Sequence, residues 1–464
     1  MARLVVVSNR VPDPSAGEAR AGGLAVALQG ALDEHGGLWF GWDGRVSQGP
    51  VTRPKVVRDG NTDYATLPLS RKDYDNYYLG YSNEVLWPVF HFNLGAMDFQ
   101  RVFLQAYQRV NALFADALTP LLEGDETVWI HDYHLIPLGR ELRERGANQS
   151  MGFYLHIPFP SYDLIRAMPG FRGLLHDLCQ YDLIGFQTEN DRSAFEESVV
   201  QAMNGVLEQP GVLRFGARHL RTGVYPVGVD VEEIGDLALQ SARTPRVRRL
   251  VQGLGDRDLV VGVDRLDYSK GLPNRFRAYE AALRNYPELR GRTVFMQIAS
   301  PSRSAIPEYK TLRRQLEGLC GHINGTYADL DWVPMHYLHR TFSRDSLMGL
   351  YRSAHAALVT PLRDGMNLVA KEFVAAQDPE DPGVLVLSEL AGAAHELTGA
   401  IQVNPYDVDA IAMALHEAIQ MPLDERRRRY ESMYETLTNN SILQWRRRYL
   451  SDLAESRCAT GLGK

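Results

Sequence analysis

The sequence predicts an α/β protein made of two doubly wound, Rossmann-like domains. Short continuous apolar runs alternate with amphipathic helical stretches almost from end to end, as expected for parallel strands buried on both faces. The alternation relaxes once, between Gly205 and Arg248. The 464 residues also exceed what one hydrophobic core usually holds, and 45% apolar with 23% charged side chains is an ordinary globular mix.

Taken in order, strands are predicted at Leu4–Val7, Val128–His131, Gly152–His156 and Leu183–Phe186, with helices over Phe99–Leu122 and Asn190–Met203 between them. After the relaxed region, with its hinge at Pro226–Asp230, strands are predicted at Leu259–Val263, Val294–Ile298, Ala357–Val359, Val384–Leu387 and Ile401–Val403. The helix after the first of these carries Leu272, Phe276, Tyr279, Leu283 and Tyr286 at steps of four and three, one apolar face. Beyond Leu423 the chain reads as helical, and Arg426–Arg429 and Arg446–Arg448 read as solvated faces. Two such halves imply a cleft between them, with ligands at the carboxyl ends of the strands.

Charge and composition exclude several classes. Fifty Lys and Arg against 57 Asp and Glu give a net charge of −7, which argues against a general grip on nucleic acid or an anionic membrane. Three scattered cysteines, Cys179, Cys320 and Cys458, fit a reducing compartment. The first apolar run, Leu4–Val7, is too short for a signal core, and no run approaches the ~18 residues that cross a bilayer, so a cytoplasmic protein is expected. No G-x-G-x-x-G, phosphate loop or G-x-S-x-G is present; Gly253-Leu254-Gly255-Asp256 reads as a helix C-terminal turn. His131 and His134, and His336 and His339, are spaced three apart, but the first pair begins at a strand end, where such residues point apart, so no metal is expected.

The strongest signals are charged loops at strand ends. In Val263–Gly271, Arg265 and Lys270 would bracket a helix N-terminus, whose free N–H groups already favour an anion, and two cations there suit a diphosphate. In Thr360–Glu372, Gly365 permits close approach to the next helix, and Asp364 and Glu372 are either acceptors for sugar hydroxyls or helix caps. Arg10 ends the first strand, and Gly22-Gly23 opens a helix after it. Asp132 ends another strand and faces the expected cleft. The stretch Tyr77 to Phe92 is rich in aromatics, mostly core, a few of which at a cleft rim would suit the apolar face of a sugar ring.

Read together, SNR, GGLAV, GGLWFGWDG, SNEVLWPVFH, VWIHDYHL, YLHIPFP, IGFQTEND, DRLDYSKGLP, TPLRDGMNLVAKE and LVLSELAGAA follow one another in order. The chain closely resembles the trehalose-6-phosphate synthases, retaining glucosyltransferases of family 20 with the two-domain GT-B fold, from Arg3 to about Asp452. Ala27 departs from the glycine that relatives often carry after GGLAV.

The resemblance implies an acceptor domain over residues 1–228, with a terminal helix at 446–464 packing back on it, and a nucleotide-sugar domain over 229–445. It implies that Arg10 and Arg303 hold the phosphate of glucose 6-phosphate in the N-terminal domain, with Tyr78 beside it, Asp132 on the sugar hydroxyls and Trp87 shaping the choice of anomer. For the donor it implies Arg265 and Lys270 on the diphosphate, approached by Gly22 and Gly23, with Phe342 at the base. It further implies Leu368, Val369, Ala370, Lys371 and Glu372 on phosphate and ribose, and His156 and Asp364 on the glucose. His156, Asp132, Arg265, Lys270 and Asp364 are thus the expected catalytic set. Arg303, in Ser300-Pro301-Ser302-Arg303, would otherwise read as a surface turn.

The implied reaction moves glucose from a nucleotide donor, UDP-glucose foremost, to glucose 6-phosphate with retention and without metal or cofactor. The base, among uracil, guanine and adenine, and any homo-oligomer stay open at this point. So do a related acceptor such as glycerol 3-phosphate, a pseudo-sugar, and a binder of sugar phosphates that has lost catalysis; the complete charged set argues against the last.

Overall fold

A computed structural model describes residues 3–13, 23–49, 51–303 and 306–459. The chain forms two compact units, 1–226 together with 445–464, and 227–444. Gly22 and the side chain of Cys458 lie outside what is described.

The first unit holds a sheet of ten strands: β1 (Leu4–Arg10), β2 (Gly37–Ser47), β3 (Lys55–Asp59), β4 (Thr62–Ser70), β5 (Thr127–His131), β6 (Ser150–Tyr154), β7 (Leu183–Phe186), β8 (Val206–Gln209), β9 (Val212–Phe215) and β10 (Arg218–Val224). Their order is β3-β4-β2-β1-β5-β6-β7-β10-β9-β8. From β4 to β10 every neighbouring pair is parallel. The two edges depart from the all-parallel expectation, because β3–β4, β8–β9 and β9–β10 are antiparallel. Each of these pairs is joined by only two residues, too few for a parallel crossover.

The second unit holds β11 (Asp258–Arg265), β12 (Thr293–Ser300), β13 (Met335–Leu338), β14 (Ala356–Val359), β15 (Val384–Ser388) and β16 (Ile401–Val403), in the order β13-β12-β11-β14-β15-β16. All neighbours are parallel. Counted along its own chain the order is 3-2-1-4-5-6, and the seven-stranded parallel core of the first sheet, counted the same way, runs 3-2-1-4-5-6-7. Winding therefore reverses between β1 and β5 in one sheet and between β11 and β14 in the other. At such a reversal the two crossovers leave in opposite directions and open a crevice at the strands' carboxyl ends.

Apolar burial fixes both cores. Val5, Val6 and Val7 of β1 and Val260 of β11 are fully buried, and Leu272, Phe276, Tyr279 and Leu283 form the buried stripe of the helix Leu272–Asn285. The helix Pro245–Leu254 ends at Gly255, in the expected C-terminal turn. The charged terminal helices are not merely solvated: Arg426 donates to the carbonyl of Pro382 at 2.7 Å and Arg429 to that of Gly399 at 3.2 Å, each a carbonyl their own helix cannot use.

The two ends of the second unit run side by side. The Ile442 N–H donates to the Val229 carbonyl at 3.3 Å, and a Cβ on Gly228 would collide with the Asn440 carbonyl. Lys371, fully buried on the helix Leu368–Ala376, donates to the Val227 carbonyl at 2.7 Å and pairs with Glu396 at 2.5 Å, while Asn440 Nδ2 donates to the same carboxylate at 3.2 Å.

The helix Ile442–Ala459 belongs to the first unit from Trp445 onward. Tyr449 stacks on Trp129 at 4.9 Å between centroids and donates from its hydroxyl to the Phe153 carbonyl at 3.0 Å. It can do so because β6 carries Gly152, where a Cβ would collide with the Tyr449 hydroxyl and lie 2.7 Å from Leu453 Cδ2. Gly152→Ala should therefore overpack this seam, costing about 1–3 kcal/mol and lowering the melting temperature by about 2–10 °C in calorimetry. An unchanged melting temperature would show that the helix does not depend on this contact.

Candidate active site

In the first unit, expected site residues gather at the carboxyl ends of β1, β2, β5 and β6. Arg10 ends β1, and its exposed guanidinium lies over the Trp42 ring of β2, 5.7 Å from the centroid. A side chain at Gly44 would occupy the space of that guanidinium. Tyr78 lies 5.2 Å from Trp42, stacks on Tyr74 at 5.5 Å and parallels His134 at 6.0 Å. These rings make an aromatic wall beside one cation, with Tyr74 and Tyr78 supplied by the π-helical stretch Tyr74–Leu86. Trp87 is more hidden than a rim residue: it is only 4% exposed and is covered by His91 at 4.0 Å and Tyr133 at 5.8 Å.

Asp132 follows β5 directly with φ 75° and ψ 163°, a conformation costly for any side chain bearing a Cβ. Its N–H donates to the Tyr154 carbonyl at 2.8 Å, and its Oδ1 accepts from the His156 N–H at 3.3 Å. The loop after β6 thus holds the aspartate in its strained position. The His156 ring lies 3.1 Å, nitrogen to nitrogen, from buried His131. Burial pushes His156 down to about 3 and His131 well below the usual histidine range, so both are neutral near pH 7. His131 and His134 point to different partners, and among the described residues no three His, Cys, Asp or Glu gather to hold a metal.

In the second unit, the β11/β14 reversal carries the other expected set. Arg265 ends β11, exposed. Asp267 Oδ1 accepts from the Ser269 N–H at 3.0 Å and caps the turn Tyr268–Lys270. Gly271, at φ 67°, then enters the next helix where a Cβ would collide with the Thr360 carbonyl. Lys270 Nζ meets Asp364 Oδ2 at 2.5 Å, and Asn367 Nδ2 donates to the same oxygen at 2.9 Å. Lys270 thus reaches across to the β14 loop rather than staying on its own helix.

The helix Leu368–Ala376 is capped by Asn367, whose side chain accepts from the Ala370 N–H at 3.2 Å, so neither Asp364 nor Glu372 is the cap. The N–H groups of Leu368 and Val369 have no acceptor within the helix and mark an anion-favouring end. Lys371 departs from the expected ligand run, because its side chain is spent on Val227 and Glu396. Burial pushes the Glu372 carboxyl up to about 7, with Arg344 opposing and Glu233 adding to the rise. Phe342 has Arg340 4.6 Å and Arg246 5.2 Å from its centroid and lines a mostly apolar cavity of about 180 Å³ with Met296, Ile298 and Leu338.

Arg303 is not a surface turn residue. Its side chain is 6% exposed, its φ is 45°, and Nη1 donates to Asp267 at 2.7 Å and to the Tyr309 hydroxyl at 2.8 Å. It also lies in the second unit, whereas Arg10, Tyr78, Trp87 and Asp132 lie in the first, so the implied acceptor set is not confined to the N-terminal domain. Gly23 begins the helix Gly23–His35.

Sequence reasoning missed the groups beneath these loops. Buried Arg275 pairs with Asp264 and donates to Thr360 Oγ1 and Gln297 Oε1, each at 3.0 Å, tying β11, β12 and the end of β14 together. Asp264 was the available signal, a charge directly after the apolar run Leu259–Val263 and still within the strand. Trp42 and Asp267 sat within quoted motifs, but their partners are remote in sequence.

The Glu372 environment has a measurable cost. Its unfolded carboxyl titrates near 4.5 and the folded one near 7, so between those values the folded state holds the extra proton and stability falls as pH rises. Glu372→Gln should remove this loss, and above pH 7 it should stabilise the ligand-free protein by up to about 3 kcal/mol. Denaturation at pH 5 and pH 8 should show most of the gain at the higher pH; equal effects would refute the burial.

Residues 3–455 match the model of glycosyltransferase family 20. The chain is 49% identical over 455 residues to a trehalose-6-phosphate synthase of Citrobacter koseri, covering 98% of this chain and 96% of that one. It is similar to the crystal structure of a UDP-forming α,α-trehalose-phosphate synthase from Burkholderia vietnamiensis, with a TM-score of 0.95, 48% identity and coverage of 98% and 99%. It is also similar to a Burkholderia xenovorans enzyme of the same description in complex with glucose 6-phosphate, with a TM-score of 0.93, 47% identity and coverage of 97% and 100%. With a two-domain α/β architecture and a match over nearly its whole length, the chain belongs to glycosyltransferase family 20.

Proposed function

We propose that this protein is a UDP-forming α,α-trehalose-phosphate synthase, transferring glucose from UDP-glucose to glucose 6-phosphate. The observation that carries the reading is the cluster at the β11/β14 reversal. Arg265, Lys270 and the open N–H groups of Leu368 and Val369 collect positive potential where a diphosphate would leave, with Asp364 set beside them as a hydroxyl acceptor. Relatives described as UDP-forming, one of them bound to glucose 6-phosphate, support both substrates.

In this reading Arg265 and Lys270 hold the diphosphate and Phe342 borders the base. Glu372 takes the ribose hydroxyls, and His156 and Asp364 take the glucose. Arg10 and Arg303 take the acceptor phosphate with Tyr78 beside it, Trp87 shapes the choice of anomer, and Asp132 orients the acceptor's hydroxyls. The acceptor's anomeric hydroxyl oxygen attacks the donor's anomeric carbon as the bond to the β-phosphate oxygen breaks. The hydroxyl proton passes to that leaving oxygen, giving UDP and trehalose 6-phosphate with no cofactor. Front-face attack fits retention better than a double displacement, since Asp364, the one candidate nucleophile, is held by Lys270 and Asn367 as an acceptor.

The defining assay measures UDP released from UDP-glucose with glucose 6-phosphate, free glucose or glycerol 3-phosphate as acceptor. Transfer should be fastest to glucose 6-phosphate, and faster transfer to glycerol 3-phosphate would replace the acceptor. Arg10→Ala should raise the KM for glucose 6-phosphate about ten- to a hundredfold, the worth of one charge-assisted contact, with the KM for UDP-glucose nearly unchanged. A normal acceptor KM would remove Arg10 from the phosphate. Asp132→Asn should depress kcat while leaving donor binding intact; lost donor affinity would move Asp132 to the donor.

A further inference from the structure

His131 takes no part in the transfer described above, yet it is the fully buried neighbour of His156. Its Nδ1 lies 3.1 Å from His156 Nε2, and its ring is held between Trp129, 4.4 Å away by centroids, and Tyr154, 6.2 Å away. Its other nitrogen, Nε2, is buried and has no hydrogen-bond partner among the described residues. We propose that His131 is a positioning residue that fixes His156 in the Nδ1–H tautomer, so that His156 meets a substrate oxygen as a hydrogen-bond donor. The proposal rests on the placement of His156 at the donor glucose.

Both rings are neutral, so each carries one proton, and one ring must donate to the other across the 3.1 Å contact. If His156 donated from Nε2, His131 would have to carry its own proton on Nε2. That would leave a buried N–H with nothing to accept it, an arrangement proteins rarely tolerate. If instead His131 donates from Nδ1, its Nε2 is left as a bare lone pair, the lesser loss. His156 Nε2 then accepts, and the His156 proton is confined to Nδ1. Among the described residues Nδ1 has no hydrogen-bond partner, and it is not among the buried orphan atoms. It stays available for an oxygen of the substrate. His131 thus supplies what the carbonyl or carboxylate partner of a catalytic histidine supplies elsewhere, a choice of tautomer, but with the direction of donation reversed.

The test uses the full chain labelled with 15N-histidine, whose imidazole nitrogen shifts separate the two tautomers, with His156 assigned through His156→Gln. The unmodified protein should show His156 protonated on Nδ1, with Nε2 in the hydrogen-bond-accepting range. His131→Phe keeps a ring of similar size but removes the donor. It should release His156 into a mixture of tautomers and lower kcat about three- to tenfold, with the KM for glucose 6-phosphate unchanged. His131→Asn, whose amide can present an N–H at the position of Nδ1, should restore both the tautomer and most of kcat. His156 protonated on Nε2 in the unmodified protein would overturn the proposal. So would a His131→Phe protein with unaltered tautomer and kcat, or equal loss in both variants with the tautomer intact, which would mark a packing role. Should His131→Phe fail to fold, the unmodified spectrum and His131→Asn still decide. If the unmodified protein does not transfer glucose to glucose 6-phosphate, the proposed function fails while the tautomer measurement stands on its own.

Discussion

A right-handed crossover between parallel strands lays its helix on one face of the sheet, so a sheet covered on both faces must reverse its winding once. Both sheets obey this with the same 3-2-1-4-5-6 run of parallel strands, and the expected site residues lie where they reverse. Arg10 and Asp132 leave the strands on either side of one reversal, β1 and β5; Arg265 and the Asp364 loop leave those on either side of the other, β11 and β14. A charged side chain one residue earlier would lie inside a layer of helices and sheet and would need a partner of its own. Asp264 is that case, and Arg275 is that partner.

The Asp264–Arg275 pair adds little net stability compared with an apolar packing of the same volume, because removing both charges from water offsets their attraction. Its value is positional. By bonding Thr360 and Gln297 as well, Arg275 sets the heights at which three strands release their loops, and those heights decide whether Lys270 reaches Asp364. Asp267 extends the same logic outward, capping the lysine turn with one oxygen and holding Arg303 and Tyr309 with the other. The strained backbone of Asp132 is the counterpart in the first unit, with the Tyr154 carbonyl and the His156 N–H as its supports.

The interior strands were legible because burial on both faces leaves an unbroken apolar run, as at Leu4–Val7 and Val294–Ile298. The edges were not. In β3 the pattern is almost wholly exposed; β2, although an interior strand, escaped as well, because it mixes Trp39, Phe40 and Trp42 with glycines and Asp43, so neither shows an unbroken run. Asp132, Arg265, Lys270 and Asp364 could be selected by position alone, as charges at the ends of predicted strands. Arg303, Tyr78 and Phe342 came only with the family resemblance, since a turn arginine and two aromatics carry no periodic signal. The Lys371 side chain turns to Val227 and Glu396 because adjacent helix residues point about 100° apart, so sharing a run with Glu372 does not mean sharing a face. Arg275 escaped because its partners Asp264, Gln297 and Thr360 lie 11, 22 and 85 residues away, and the link from His131 to His156 spans 25 residues.

The side-by-side ends of the second unit bear on how such a chain can be cut and joined. Residues 227–444 form one continuous stretch of gene, inserted into the coding sequence of the other unit, and both of its ends are fastened to the Lys371–Glu396 pair. A stretch whose ends already touch can be lifted out, replaced or re-opened elsewhere without stretching the chain that receives it. The first unit offers no such freedom, because its last helix is encoded beyond the insertion and must be spliced back to reach Gly152. Exchange between relatives therefore has a natural unit of recombination, bounded by Val227 and Gln444, that leaves the seam under Tyr449 untouched.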